Sequence, residues 1–412
     1  MIRRGGDDEP VTIHRPALIF ILITVMLDAM GIGLIMPVMP DLIIEVQGGS
    51  LANAALWGGI LSTVFAIMQF LFGPLIGNLS DRFGRRPVLL ISLVVMTVDY
   101  LVMAVAGSMA LLLIGRVVGG IATATSGTAS AYVADISAPK DKAANFGLIG
   151  AAFGIGFVLG PLIGGLLGGY GTRAPFYAAA ALSALNAVFG YFVLRETVTD
   201  RIRRPFHWRR ANPLGALRHL GKLPGIRPLL VMYFLYQVAF HVYPSVWSFF
   251  TQERFGWGPG TIGLSLALFG ITMAFVQGVL IRFVLRWLGE RNTVVYGHVF
   301  DVFAFAALAF VTSGALALVL TPLAALGAVI TPALQAIMSK MVGDDQQGEL
   351  QGILTSIYAL AMIVSPLMMT SVFAAFTHDG AALYLPGAPF LVSILLILIG
   401  LAVFVRNPPP QG

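Results

Sequence analysis

The chain has 412 residues, of which 58% are hydrophobic and only 11% charged, with a mean hydropathy of +0.88. That balance excludes a soluble globule and describes a polytopic membrane protein. The net charge of +6 could suggest nucleic acid, but the basic residues lie in loops between apolar runs, so no nucleic-acid partner is expected. Cysteine is absent, which excludes disulfides, thiolate metal sites and cysteine nucleophiles.

About twelve apolar segments of near-spanning length follow one another, at 17–39, 54–77, 88–106, 109–134, 146–168, 174–194, 229–252, 261–285, 293–312, 314–340, 350–376 and 387–405. The first follows a polar start without a small-residue cleavage site, and so reads as a span and not a removed signal. Spans 3 and 4 are separated only by Gly107 and Ser108, which predicts a tight helical hairpin. All but three of the 25 Lys and Arg fall in the tails or at span ends on one side, the exceptions being Arg116, Arg173 and Arg254. The positive-inside rule then places both termini in the cytoplasm, which requires an even number of crossings.

In chain order, the first buried charge is Asp28, in LDAMGIGLIMP, where Gly31 and Gly33 thin the helix and Pro37 ends it. Between spans 2 and 3, Gly77 to Pro87 reads GNLSDRFGRRP, one acid and three arginines in a very short turn. Gly77 and Gly84 would let helices approach closely, and Asp81 could accept hydrogen bonds from Arg82, Arg85, Arg86 or a neighbouring helix end. Such a turn could latch one arrangement of helices; the plainer alternative is a loop that only fixes topology. Asp99 in span 3 and Arg116 in span 4 are the next charges inside apolar runs, and a static pair between Arg116 and a span 1 acid is one possible arrangement.

Span 5 carries GIGFVLGPLIGGLLGG. Gly156, Gly160, Gly164 and Gly168 recur every four residues, so another backbone could pack along that side, and Pro161 would add a bend. The one long polar insert, from Arg195 to Arg227, has nine basic residues against Glu196 and Asp200 and divides the spans six and six. The expected organisation is a first bundle over 1–194, a basic cytoplasmic linker over 195–227 lying on an anionic leaflet, and a second bundle over 228–412. At an offset of 205 residues Gly84 meets Gly289, Gly147 meets Gly352 and Pro161 meets Pro366, a sign of duplication. In the second copy GERN replaces GRRP and Arg286 replaces Asp81, so the turn motif reads as degenerate there.

Asp301 in span 9 is the last buried charge, with His298 three residues before it on the same helical face. Charges inside spans are costly and mark functional sites by default. A desolvated carboxyl group tends to hold a proton and to surrender it when water or a cation arrives. His298 could share that proton or be a satisfied interior histidine; His241 in span 7 poses the same choice more weakly.

The turn GNLSDRFGRRP resembles the loop between helices two and three of the major facilitator superfamily, and GFVLGPLIGG resembles the signature of its proton-coupled drug exporters. LDAMGIGLIMPV, VDYL, GRVVGGI, ERFGWGPGTIGLSLA, DVFAFAALAF, PALQAIMS and QQGELQGIL occur in order. Together they are similar to the bacterial tetracycline-resistance exporters of the drug:proton antiporter group, over nearly the whole length. The resemblance implies an all-α membrane protein of twelve transmembrane helices in two pseudo-symmetric six-helix bundles. It implies export of tetracycline, as a chelate with a divalent cation, against a proton gradient across the bacterial inner membrane, with no cofactor and no enzymatic activity.

Carried over to this sequence, the resemblance gives proton-coupling roles to Asp28, Asp99, Asp301 and Arg116, with His298 added from its position. The candidate substrate contacts are Asp28, Asp301 and Gln277 from the resemblance and Met273 from its alignment with the span 8 histidine, with Gln69, Gln237 and His241 added. Gating falls to Gly77, Asp81, Arg82, Gly84, Arg85 and Arg86, and the antiporter helix to Gly156, Gly160, Pro161, Gly164 and Gly165. One departure matters: Met273 stands where the family has a span 8 histidine, and methionine cannot carry a proton. Either His298 takes over, or coupling differs, or the cargo is another amphiphilic drug. A multidrug exporter and an uptake symporter remain the alternatives.

Overall fold

The computed structural model describes residues 15–138, 141–199, 203–207, 212, 213, 215 and 225–407; most of the basic insert and both tails lie outside them. The described residues form α1 (Arg15–Ile35), α2 (Met39–Gln47), α3 (Leu51–Phe83), α4 (Arg85–Val105), α5 (Met109–Ala122), α6 (Ser126–Ile136), α7 (Lys142–Gly168) and α8 (Ala174–Val193) in the first half. The second half has α9 (Arg227–Phe240), α10 (Val242–Phe255), α11 (Pro259–Phe275), α12 (Ile281–Phe310), α13 (Gly314–Ala324), α14 (Ile330–Lys340), α15 (Gln347–Thr377) and α16 (Ala388–Arg406).

Among the described residues eleven continuous helical stretches are long and apolar enough to cross a membrane. One of them, Pro259–Phe310, has 52 residues. At 1.5 Å per residue that is ~78 Å, two crossings and not one. It turns back at Gly289, whose φ of 72° and ψ of 167° no helix contains, so the twelve predicted spans are accounted for. The predicted hairpin between spans 3 and 4 is equally sharp: α4 stops at Val105 and Ser108 caps α5 by accepting from the Leu111 amide at 3.3 Å.

Span 1 ends with α1, and α2 follows it across Met36–Val38; spans 4, 7 and 10 are interrupted, α5 giving way to α6 across Thr123–Thr125, α9 to α10 at His241, and α13 to α14 through a 3₁₀ segment, Ala325–Val329. Such breaks free backbone groups from the helix ladder and are tolerated in a membrane where they are buried in protein or line a cavity. A ring cluster made by Tyr243, Trp247, Phe250, Phe269, Phe305 and Phe390, with centroids 4.7–6.4 Å apart, fills the second half beside its break.

The halves meet along α3 with α15 and α7 with α11. Away from the arginine-rich turns the contact is close: a Cβ added at Gly59 would strike the Thr370 hydroxyl and come 3.1 Å from the Pro366 carbonyl, and one at Gly263 would strike the Pro161 carbonyl. Toward the arginine-rich end the same helices part. Gly147, Gly150, Gly154 and Gly278 have no described atom within 4 Å of where a Cβ would stand. Between α7 and α11 the contact is therefore tight at one end and open at the basic end.

Candidate transport site

In span 5 the glycine spacing does what its period predicts. Gly156, Gly160 and Gly164 lie on the carbonyls of Met26, Met30 and Leu34, one helical turn apart along α1. Gly165 turns to the other side and meets Pro259 and Gly263 of α11. Pro161 sits between the two neighbours, its ring against Gly33 and its carbonyl against Gly263, in a helix that continues through it. One helix thus bears on α1 of its own half and on α11 of the other.

That close seating of α1 positions the first-half acids. Asp28 lines a recess between α1, α4 and α8, with Tyr100 and Ser183. The Tyr100 hydroxyl rests on Gly31 and lies within electrostatic reach of Asp28, Asp99 and Arg116. Asp99 is 3% exposed and lies against α5 at Gly115 and Gly119, where a Cβ would come 2.6 Å from its Oδ2. Its Oδ1 has no hydrogen-bond partner. Arg116 lies over the Phe65 ring at 5.5 Å, with Nε and Nη2 unpartnered. No ion pair joins Arg116 to Asp28, so the static pair weighed from sequence does not form.

The second half repeats the arrangement. The Asp301 carboxylate, 2% exposed, lies on Gly327 in the 3₁₀ segment, and the Tyr236 hydroxyl donates to the Gly327 carbonyl at 3.3 Å beside it. Oδ2 of Asp301 has no donor. His298 Nδ1 lies 2.7 Å from the Val294 carbonyl, which can only accept, so the neutral ring carries its hydrogen there and Nε2 is an acceptor. That Nε2 is buried without a donor, and the ring packs on Tyr236 at 5.3 Å. Two buried acceptors flank one tyrosine, and a single added proton would supply the missing donor to either.

Facing the open side, His241 donates from Nδ1 to the Gln237 carbonyl at 2.7 Å, and its ring meets Tyr358 of α15 at 5.3 Å. The Tyr233 hydroxyl lies within hydrogen-bonding reach of Gln237 and Gln335. Tyr358 is 39% exposed and continues an exposed stripe with Gln351 and Thr355 on an otherwise apolar helix. Gln277 is exposed in a π-turn, Val276–Leu280, an irregularity common at functional sites, while Gln69 on α3 and Met273 on α11 are half-buried. The sequence reading missed Tyr233, Gln335 and Tyr358. Polar positions at 233, 237 and 241, one per turn, were the available signal for the first.

At the arginine-rich turn, Arg85 bridges two acids: Nη1 to Asp81 at 2.9 Å and Nε to Asp135 at 2.8 Å. Glu196 accepts from the Arg85 and Arg86 amides at 2.9 and 3.2 Å, an anion on the N-terminus of α4. Arg86 reaches the Tyr191 carbonyl at 2.8 Å, and Arg82 lies over Phe83. Asp135 was not singled out from sequence, and Glu196 was counted only among the charges of the basic insert; both sit at the ends of apolar runs, where a charge ordinarily reads as a boundary. The expectation of helix approach at Gly77 and Gly84 needs correction. Gly77 faces open space among the described residues, and Gly84 is required by its φ of 111° and by the Glu196 carboxylate, which a Cβ would strike.

Two halves of six spans, broken helices around a one-sided opening and a buried acid in each half define a secondary transporter. The Major Facilitator Superfamily model matches residues 21–366 and 229–412. The chain is 42% identical to Tetracycline resistance protein, class C, of Escherichia coli over 91% of this chain and 96% of that one. It is 39% identical to the class G protein of Vibrio anguillarum over 92% and 97%. The crystal structure of the human organic anion transporter MFSD10 (TETRAN) superposes with a TM-score of 0.67 at 26% identity, covering 95% of this chain and 99% of that one. The chain belongs to the Major Facilitator Superfamily and, within it, to the tetracycline resistance proteins.

Proposed function

We propose that the protein exports tetracycline, chelated to a divalent cation, across the inner membrane in exchange for protons. The observation that carries the exchange is the pair of buried carboxylates, Asp99 on Gly119 and Asp301 on Gly327, each with an oxygen lacking any donor. The relatives' names supply the drug. By the positive-inside rule the basic end and both termini face the cytoplasm, which makes the described state open to the cytoplasm.

Cargo entering from that side meets the wall of Gln237, His241, Gln335 and Tyr358. Tyr358 offers a face for a planar ring system, and the amides and imidazole offer hydrogen bonds to hydroxyl and carbonyl groups. A neutral His241 that donates from Nδ1 leaves Nε2 as an acceptor or as a ligand for the carried cation. Closing the cytoplasmic end and opening the other would expose the acids to the outside, where protonation gives each a donor and favours return. Arg85, held by Asp81 and Asp135, is the latch at the moving end. His298 provides the second acceptor beside Asp301 in a chain that has Met273 on α11.

Met273 also favours a second reading, export of a different amphiphilic drug with the same proton exchange. Everted, acid-loaded vesicles separate the two. Tetracycline with magnesium should trigger proton efflux while other amphiphilic drugs do not. A response only to the others would replace the cargo, and an unchanged response in Asp301→Asn would remove the proton role.

A further inference from the structure

The second-half turn reads as a degenerate copy of the first, but the structure gives it a different meaning. In the first half Arg85, just past Gly84, ties the start of α4 to Asp135 near the end of α6, at 2.8 Å. In the second half Glu290, just past the Gly289 bend of α12, ties the start of span 9 to Lys340 at the end of α14, at 2.7 Å. Both partners are displaced by 205 residues, the offset of the internal repeat. The contact is kept and its polarity is reversed. Arg286 at the place of Asp81 follows the same inversion.

The two helix pairs joined in this way are those that seat the buried acids. α4 carries Asp99 and α5 carries Gly119; α12 carries Asp301, and Gly327 lies in the segment that leads into α14. Each half is thus a third and fourth span pinned twice, by a carboxylate on a glycine inside the membrane and by an ion pair at the cytoplasmic end. A loop that only sets topology needs basic residues, and has no use for an acid held against one of them.

We infer that Glu290 and Lys340 are a positioning pair for Asp301: their contact holds α12 in register with α14 so that the carboxylate stays on Gly327. This rests on the reading of Asp301 as the proton carrier. The second-half clasp is the weaker one. Its side chains are 24% and 71% exposed, against 11% and 20% for Arg85 and Asp135, and the first half adds Asp81 and the Thr197 hydroxyl, 3.0 Å from Asp135. An exposed pair contributes modestly, so the expected effects are graded and not absolute.

The test uses the full chain in everted vesicles, measuring protons moved per tetracycline–magnesium transported together with the drug KM. Glu290→Lys and Lys340→Glu should each lower the proton-to-drug ratio, roughly two- to fivefold, with KM unchanged. The double swap Glu290→Lys/Lys340→Glu should return the ratio to within about twofold of the parent, which a general loss of stability would not do. Glu290→Gln, which keeps shape without charge, covers the case in which the reversals fail to insert, and should show the same direction of change. Parent ratios in the single variants, or a swap no better than either single, overturn the inference. Asp301→Asn in the same assay separates the two levels. Loss of proton movement there, with a parent ratio in Glu290→Gln, overturns the clasp alone, whereas proton movement retained in Asp301→Asn overturns the proton reading and the clasp with it.

Discussion

The carboxylate of Asp301 rests on Gly327 so closely that a methyl group at residue 327 would occupy the same space. A carboxylate held against bare backbone is placed by sterics, not by an ion pair. Asp99 on Gly119 is held in the same manner in the other half. The transporter therefore positions both acids with an absent side chain, which leaves one oxygen of each without a donor.

Gly327→Ala tests this placement directly. Overpacking of this kind costs about 1–3 kcal/mol, and here the group that must yield is the carboxylate itself. We expect drug-stimulated proton movement to fall about tenfold or more, with the protein still inserted in the membrane. Gly107→Ala, in the hairpin between spans 3 and 4 where a Cβ meets open space, is the matched control. Equal activity of both variants would show that the carboxylate does not need its seat.

Much of this was legible in the sequence, for definite reasons. A span in lipid must satisfy its own backbone, so apolar length alone located the twelve crossings, and the four-residue glycine period located the face of α7 that meets α1. Asp99 and Asp301 stood out because a charge in an apolar run has few explanations. Their seats did not, because Gly119 and Gly327 are ordinary small residues until the fold brings an acid to them. Asp135 and Glu196 were hidden for the opposite reason: at span ends a charge is expected, and only folding shows that it meets Arg85 or the amides of α4. Arg286 and Glu290 looked like decay of the gate motif because pattern matching compares identities, whereas an ion pair survives exchange of its signs.

Two glycines on α7 separate static packing from movement. Gly160 lies on Met30, 2.6 Å from the carbonyl oxygen to an added Cβ, so Gly160→Ala should destabilise the folded protein by about 1–3 kcal/mol. Gly154 faces the open cleft on the same helix, so Gly154→Ala should leave the melting temperature unchanged or slightly raised. If the cleft closes during transport, Gly154→Ala should nevertheless slow turnover. Thermal unfolding in detergent and transport in vesicles, measured on both variants, read the two effects apart. Full turnover in Gly154→Ala would mean that α7 and its neighbour do not close there.

The closed end is fastened by polar ties between the halves. Ser248 donates to the Met36 carbonyl at 2.8 Å, and the Gln252 side chain donates to Asp41 at 2.6 Å, one turn further along α10. Each such bond contributes about 0.5–1.5 kcal/mol net, so removing both with Ser248→Ala/Gln252→Ala should shift the balance toward the other open state roughly tenfold. The chain has no cysteine, so Tyr358→Cys alone reports on access to the cavity wall. Its labelling by an impermeant maleimide from the closed side should rise several-fold in the double variant. Unchanged labelling would assign closure to apolar packing alone.

At that same end, outside the spans, Glu45 of α2 accepts from the Thr172 hydroxyl and from Arg173 Nε at 3.0 Å, while Arg173 Nη1 donates to the Ala104 carbonyl at 2.8 Å. These contacts tie α2, α4 and the start of α8 together. The Thr172 hydrogen bond, with the Arg173 bond and charge adding to it, holds the Glu45 carboxyl below its ordinary value of 4.5. A carboxyl whose folded value is depressed adds stability that is fully present above 4.5 and is lost as pH falls through the folded value. The Glu45 side chain is 44% exposed, so screening limits the gain to about 0.5 kcal/mol. Glu45→Gln should therefore melt slightly below the parent at pH 7, and the difference should close as pH is taken below 4.5. It should also shrink in high salt. A gap that stays constant across that range would show that the carboxylate charge is not what joins these helices.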